Sequence, residues 1–486
     1  MQPILRVASM RAADVATITA GTPQDELMRR AGHAVARAAR TLLGGCYGRH
    51  VAAVCGSGNN GADARIALEL LRGWGARTVA YRADDQLPAE WTERFDLIID
   101  GMFGTGFAGD VRPEASALIG QINRSATPVV SVDIPSGLSG DTGRVDSVAI
   151  RATRTVTFEV MKPGLLMGDG PAYAGELIVA PIGIEFQAVD AVSWDTTDVA
   201  ARWPSPHQAG HKWSVAPVLI VGGSPGLQGA PHLSALGASA TGSTMVVILT
   251  PSSLTVPDRP DLVVRRVRAL ETALDGERAF ATIEPMLERF GAVVVGPGMG
   301  HGQGPDALIG KFLRSDRPLV IDADALSANS LHWDAIAARN ASTVLTPHHG
   351  EFVRMTGETP ADRLEACRKV AAQLGDRAVV ALKGPGTVIV SCSRESVRCA
   401  IDRAGDVRLA TAGSGDVLSG IAASLLAQHV DPWEATVMAA HVHGLAGRRM
   451  PFVGGNATQL AHHVAEIAGG LGEPRPGGPR PMSPDR

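Results

Sequence analysis

The sequence predicts an α/β protein made of two three-layer αβα domains. Three observations carry this. Short apolar runs of strand type recur along the chain, most of them end in glycine-rich or acidic loops, and helical periodicity follows those loops. At 486 residues the chain exceeds one ordinary core, so more than one domain is expected. Hydrophobic residues at 45% and charged residues at 19% describe a soluble globular protein rather than a disordered one.

A net charge of −4 leaves no electrostatic footprint for nucleic acid or an acidic membrane, so small molecules are the expected ligands. The cysteines Cys46, Cys55, Cys367, Cys392 and Cys399 form no C-x-x-C pair. That argues against zinc and disulfide frameworks and for reduced thiols in the cytoplasm. No apolar run approaches a membrane span, and the N-terminus lacks a signal-peptide core.

In the first half, Asp25 to Gly32 opens an alanine-rich helix, and Val51 to Cys55 reads as a buried strand. The glycine loop Gly56-Ser57-Gly58-Asn59-Asn60-Gly61-Ala62-Asp63 follows, then a helix with Ile66, Ala67, Leu70, Leu71 and Trp74 on one face. Phe95 to Asp100 and Pro128 to Asp133 repeat the pattern, ending before Gly101 to Phe107 and before Ile134-Pro135-Ser136-Gly137. In open parallel sheets such ends line the ligand crevice. Gly56, Gly58 and Gly61 satisfy G-x-G-x-x-G, but the second strand leads to Arg82 instead of the acid of a dinucleotide fingerprint. The Asn side chains, Asp100 and Ser136 supply oxygen ligands suited to a hard cation.

These residues reach a known family. Gly58 to Asp63, Phe103 to Phe107 and Val132 to Gly137 resemble the NAD(P)H-hydrate epimerase domain over about residues 10 to 185. The resemblance implies a Rossmann-like fold in which Asn59, Asn60, Gly61, Ala62, Asp63, Gly104, Thr105, Gly106, Phe107, Ala108, Gly109, Asp110 and Asp133 contact hydrated nicotinamide nucleotide. It also implies potassium ligands at Asn60, Asp100 and Ser136. The family pattern continues Asn-Asn-Gly-Gly-Asp-Gly, whereas this chain has Ala62 and Ala64, and each adds a β-carbon. The stretch around Trp203-Pro204-Ser205-Pro206 lacks periodicity, which places a domain boundary near residue 205.

Strand-type runs resume at Val218 to Val221, Met245 to Leu249, Ala292 to Val295 and Pro318 to Ile321. The loop Gly296-Pro297-Gly298-Met299-Gly300 can pass main chain close to a flat ring. Asp322 and Asp324 alternate, so one of them is expected to face a site if the strand continues. His348 reads as a donor to a substrate amide or hydroxyl, with a loop-stabilising histidine as the alternative, and Glu351 could hold magnesium through water. Lys383, followed by Gly384-Pro385-Gly386-Thr387, reads as a nucleotide clamp. In Gly413-Ser414-Gly415-Asp416 the glycines and a helix start make a cradle for phosphate oxygens. Asp416 at its mouth suits removal of a proton from a substrate hydroxyl. His441 and His443, two apart on a presumed helix, read as structural.

Gly296 to Gly300, Asp322 to Leu326, Thr346 to Glu351, Lys383 to Thr387 and Thr411 to Gly420, in that order, resemble the ribokinase-like NAD(P)H-hydrate dehydratase domain over about residues 207 to 468. The resemblance implies hydrate contacts at Ala230, at Gly296, Gly298 or Gly300, at His348 and at Asp416, and nucleotide contacts at Lys383 to Thr387 and Gly413 to Gly415. Departures from the family pattern are Trp213 after His211-Lys212, Asp406 and Arg408, and Pro231, expected to break the helix after Gly229-Ala230.

The expected domains are therefore 1–205, epimerase-like, and 206–470, dehydratase-like, with a disordered tail at 471–486. The implied function is cytoplasmic repair of NADHX and NADPHX with potassium, magnesium and ADP or ATP, by a homo-oligomer without nucleic-acid or membrane partners. The alternatives are a ribokinase-like small-molecule kinase and a first domain reduced to a non-catalytic binding module.

Overall fold

The computed structural model describes residues 1–107, 109–205, 215–251, 259, 261–327, 329 and 331–472. The expected features at Ala108, at His211 to Trp213 and along the tail from 473 lie outside the described residues. Two compact units divide between Ser193 and Trp194, ahead of the expected boundary at residue 205. The reason is a helix, Thr196–Arg202, capped by Asp195, whose side chain accepts from Asp198 N at 2.9 Å. It packs with helices of the second unit.

The first unit runs β1 (Gln2–Ile4), α1 (Val7–Thr19), α2 (Gln24–Leu43), β2 (His50–Cys55), α3 (Asn59–Gly73), β3 (Arg77–Arg82), β4 (Leu97–Gly101), α4 (Pro113–Arg124), β5 (Val129–Val132), β6 (Arg154–Phe158), α5 (Pro163–Leu166), α6 (Gly170–Tyr173), β7 (Glu176–Ala180) and β8 (Ala191–Ser193). Strands β3-β2-β4-β5-β6-β7 lie parallel in that order, and β1 pairs antiparallel with β8. Alternation along β2 assigns the faces: Val51, Ala53 and Cys55 meet α1, α2 and α3, while Ala52 and Val54 meet α4. The chain steps from β2 to β3 on one side and resumes at β4 on the other. The topological switch therefore opens beyond the carboxyl ends of β2 and β4, where both glycine loops lie.

The second unit runs α7 (Thr196–Arg202), β9 (Val218–Val221), α8 (Gly229–Ala240), β10 (Val246–Thr250), β11 (Val263–Arg266), α9 (Ala273–Ile283), β12 (Ala292–Val295), α10 (Gln303–Leu313), β13 (Leu319–Ile321), α11 (Trp333–Ala337), β14 (Thr343–Leu345), α12 (His349–Thr356), α13 (Arg363–Leu374), β15 (Ala378–Leu382), β16 (Thr387–Cys392), β17 (Val397–Asp402), α14 (Ser414–Ala427), α15 (Pro432–Arg449) and α16 (Ala457–Gly472). Its strands follow the order β17-β16-β15-β14-β13-β12-β9-β10-β11. From β11 to β15 neighbours are parallel, and the β15–β16 and β16–β17 pairs are antiparallel. The switch here falls between β9 and β12. Among the described residues no helix is long and apolar enough to cross a membrane.

Pro231 does not break a helix. It occupies the first turn of α8, where its missing N–H would have had no partner in any case. Helices α8 and α14 then pack almost backbone to backbone. A β-carbon on Gly420 would lie 1.9 Å from Ser234 O, and one on Gly237 would lie 2.3 Å from Val417 O. The Ser234 and Ser419 hydroxyls pair at 3.1 Å along this seam, and those of Ser243 and Ser424 at 3.0 Å.

Substituting Gly420→Ala should therefore lower the unfolding free energy of the second unit by roughly 2–3 kcal/mol through overpacking. Gly469→Ala, in α16 with nothing within 4 Å, should raise it by about 0.5–1 kcal/mol. Denaturant titration of the two variants checks both signs.

Candidate functional site

In the first unit a cavity of about 1040 Å³ opens at the strand ends. Of the residues singled out in the sequence, Asn59, Asn60, Gly61, Asp63, Gly104, Thr105, Gly106, Phe107, Asp110 and Asp133 line it, whereas Ala62 and Gly109 do not. The expected loop at Asn59 to Asp63 is instead the first turn of α3. Ala62 and Ala64 consequently sit in ordinary helical backbone, where their β-carbons introduce no strain. Glycine is required at Gly61 instead, since a β-carbon there would lie 2.1 Å from Gly56 O. Gly104 is needed as well, because a β-carbon would meet the Asn60 side-chain oxygen at 2.4 Å.

Asp133 follows β5 with φ +63°, a left-handed angle uncommon for a side-chain-bearing residue. That turn aims its carboxylate at Lys162, whose Nζ donates at 2.5 Å. Thr157 Oγ1 donates at 3.1 Å and Phe158 N at 3.2 Å. Lys162 is 1% exposed and also reaches Thr157 Oγ1 and Phe158 O. Sequence reasoning passed over it, and Met161-Lys162-Pro163 following a β-branched strand was the available signal. A second carboxyl, Asp63, is buried in the same cavity and pushed up to about 8, first by desolvation, then by the charges of Asp133 and Asp14.

Asp100, Ser136 and Asn60 come together beneath the loops. Asp100 accepts from Ser136 Oγ at 2.5 Å, Ser136 N at 2.9 Å and Ser131 Oγ at 2.8 Å, and its pKa is raised by burial against those hydrogen bonds. Its partners among the described residues are hydroxyls and amides, with no basic side chain. The Asn60 amide nitrogen lies 2.5 Å from Val132 O and 3.4 Å from Phe103 O. An oxygen-rich nest around a buried carboxylate without a cation fits a monovalent metal ion.

In the second unit the site gathers at the carboxyl ends of β9, β12, β13, β14 and β15. Strand β13 stops at Ile321 and the chain turns at Ala323, φ +51°. The expectation that one of the two acids faces away fails for that reason. Asp322 pairs with Lys383 Nζ at 2.8 Å, and Asp324 accepts from Gly300 N at 2.9 Å. A β-carbon on Gly296 would lie 1.9 Å from Asp322 O, and one on Gly298 would lie 3.2 Å from the Ala230 β-carbon, so the loop meets both elements. His348 caps α12: its Nδ1 accepts from Glu351 N at 3.2 Å, which leaves the proton on Nε2. Glu351 returns a bond to His348 N at 2.7 Å and stands 3.8 Å from Lys383 Nζ.

Gly384, Pro385 and Gly386 form the turn from β15 to Thr387 at the start of β16, so this loop lies at the same end of the sheet. Arg363 holds it through Leu382 O at 2.9 Å and Pro385 O at 2.6 Å. Gly413 has φ +86° at the start of α14, and the Ser414 hydroxyl is spent on Leu409 O at 2.8 Å. Any anion binding at this helix start must therefore come from main-chain amides, of which Ser414 N already donates to Thr411 O at 3.3 Å. His443, buried on α15, lies with its Nε2 2.8 Å from Ser414 O; burial lowers its pKa to about 4, so the ring is a neutral donor that steadies the helix start. Asp406 and Arg408 pair with each other ahead of the cradle.

Asp416 stands in the first turn of α14 and is raised to about 7, first by desolvation, then by Asp322, with Lys383 opposing and Glu351 and Asp324 adding. Burial works against the charge of Lys383, but Asp322, Glu351 and Asp416 outweigh it and keep the ammonium protonated. Among the described residues no three His, Cys, Asp or Glu side chains converge as direct metal ligands. The carboxylates around Asp416 fit a hydrated divalent cation held in part by nucleotide phosphates.

Two αβα units, each with carboxylates and glycine loops at a sheet switch point, define a nucleotide-handling enzyme class. The profile described as NAD(P)H-hydrate dehydratase matches residues 218–468, and that of the YjeF-related protein N-terminus matches 24–91 and 65–164. The bifunctional NAD(P)H-hydrate repair enzyme Nnr of Salinibacter ruber is 33% identical over 502 residues, with 92% of each chain covered. Its counterpart in Mycobacterium tuberculosis is 36% identical over 457 residues, covering 90% of this chain and 91% of the relative. The chain belongs to the family of bifunctional NAD(P)H-hydrate repair enzymes.

Asp63 also ties stability to pH. Its folded-state pKa near 8 exceeds the ordinary value of 3.8, so folding holds a proton that unfolding releases between those values. Its contribution is complete below about pH 4 and is lost as pH rises to about 8. Between pH 5 and 8 the wild type should lose more melting temperature than Asp63→Asn, measured by calorimetry without ligand.

Proposed function

We propose that this chain repairs hydrated NADH and NADPH. The first unit interconverts the epimers of NADHX and NADPHX, and the second dehydrates the S epimer with ADP, or with ATP, as phosphoryl donor. The observation that carries this reading is Asp416, a half-protonated carboxyl near neutral pH, at a glycine-led helix start beside Lys383. Asp416 takes the proton of the hydrate's ring hydroxyl, and the oxygen attacks the terminal phosphorus of the nucleotide as the bridging P–O bond breaks and AMP (from ADP) or ADP (from ATP) leaves with its electron pair. The amides of Gly413 to Gly415 face the charge on the transferring phosphoryl group. Lys383 and the turn to Thr387 bind the nucleotide; Ala230, the Gly296 to Gly300 loop and His348 seat the hydrate. Phosphate then leaves with the C–O electron pair where hydroxide could not, and loss of a proton from the adjacent ring carbon restores the reduced nicotinamide ring.

Magnesium would be held through water by Glu351 with the nearby carboxylates, and when bound it neutralises phosphate charge. Potassium would be held by Asn60, Asp100 and Ser136, where it balances the buried Asp100. In the first unit Asp133, fixed by Lys162, handles the proton, while Asn59 to Asp63 and Gly104 to Asp110 seat the substrate. The cysteines are buried and free, which supports a reduced, cytoplasmic setting. A homo-oligomer belongs to the same reading.

The test supplies mixed hydrate epimers with each nucleotide in turn and follows recovery of reduced-cofactor absorbance. A small-molecule kinase would instead leave a stable phosphorylated product. Asp416→Asn should lower dehydration by roughly 10² or more. In the wild type, kcat/KM for dehydration should rise about tenfold per pH unit below about 7 and level above it, because the base must be ionised. Asp133→Asn should abolish epimerisation of pure R hydrate and leave S-hydrate dehydration intact, as scored by chromatography of the epimers.

A further inference from the structure

We propose that Asp63 is the second acid–base group of the N-terminal cavity, donating the proton with which the hydrate's hydroxyl departs as water. The proposal rests on the epimerase reading and adds to it a proton donor and the bond that breaks. Asp63 lines the cavity yet is 4% exposed, and its Oδ1 has no hydrogen-bond partner among the described residues. Leaving a buried carboxyl oxygen without a partner is destabilising, so a ligand group that satisfies it is favoured.

Asp133 is its opposite in environment. Lys162, Thr157 and the Phe158 amide all donate to it, so its carboxyl group is held in place as an acceptor. Among the described residues Asp63 Oδ1 has no donor, and the negative charges of Asp133 and Asp14 discourage its ionisation. One cavity thus holds a fixed base and a retained acid, the environmental split that assigns such roles. The surrounding carboxylates also favour a cationic intermediate.

The hydrated carbon bears both the hydroxyl and the ring nitrogen. Asp63 gives its proton to the hydroxyl oxygen, the C–O bond breaks, and its electron pair leaves with water. The nitrogen lone pair forms C=N⁺, and the carbon becomes planar. Water then adds to the other face, forming the new C–O bond as the C=N⁺ π pair returns to nitrogen. Asp133 takes the surplus proton, and exchange with solvent restores the acid form of Asp63. No proton is consumed overall.

The test uses the full chain and pure R hydrate in ¹⁸O-water. Wild-type turnover, corrected for the uncatalysed rate, should place ¹⁸O on the hydrated carbon of the product. Asp63→Asn should lower kcat for epimerisation about 100-fold with KM changed less than threefold, while S-hydrate dehydration in the other unit reports a folded chain. The wild-type kcat/KM should also fall above about pH 8. The charges acting on Asp63 are those of Asp133 after β5 and Asp14 from α1; Lys162 after β6 is spent on Asp133, and the other charged groups lining the cavity are Arg11, Arg65, Arg82, Asp84, Asp110, Arg112 and Glu114. Product without label, a variant within threefold of wild type, or a loss confined to KM would each overturn the proposal. If Asp63→Asn does not fold, the label and the pH limb still decide. A wild type that does not accelerate epimerisation at all would refute the epimerase reading instead.

Discussion

The second unit depends on how closely α8 can approach α14. Two glycines let the helices touch through main chain, and serine hydroxyls satisfy one another within the contact. That contact fixes the start of α14, and with it the direction of the helix dipole and the amides that follow Gly413. Leu233 of α8 reaches the same point, since a β-carbon on Gly413 would lie 2.3 Å from its Cδ1. Helix packing and the geometry of the proposed phosphate cradle are thus set by one seam, and His443 braces it from α15.

Both units solve one electrostatic problem in similar ways. A lysine is tied to a carboxylate at a strand end, the buried Lys162 to Asp133 and the half-buried Lys383 to Asp322. Each pair leaves a further carboxyl nearby without full compensation, Asp63 in one unit and Asp416 in the other, and burial raises both. The ion pairs spend their attraction on their own desolvation. What they provide is a fixed local charge against which a second group can hold or release a proton near neutrality.

Most of the architecture could be read from the chain because parallel strands buried on both faces are continuous apolar runs, and their ends need glycine or acid. The loops at Gly104, Gly296 and Gly413 were visible for that reason. Lys162 was not, because its burial depends on where β6 and the following turn fold back toward β5. The Asp322–Asp324 pair misled because alternation holds only while a strand persists, and β13 ends one residue too early. Pro231 misled because its cost depends on its position within a helix. The boundary was set late because α7 is short and its capping box carries little apolar periodicity.

The start of α3 has a consequence for how such chains are recognised. Steric demand falls on position 61, wedged against the preceding strand's exit, while Ala62 and Ala64 keep ordinary helical angles. A signature written as a string of letters treats all of them alike and would penalise this chain for two harmless methyl groups. Spelling can drift there while the shape survives, so membership is better judged by which atoms would collide.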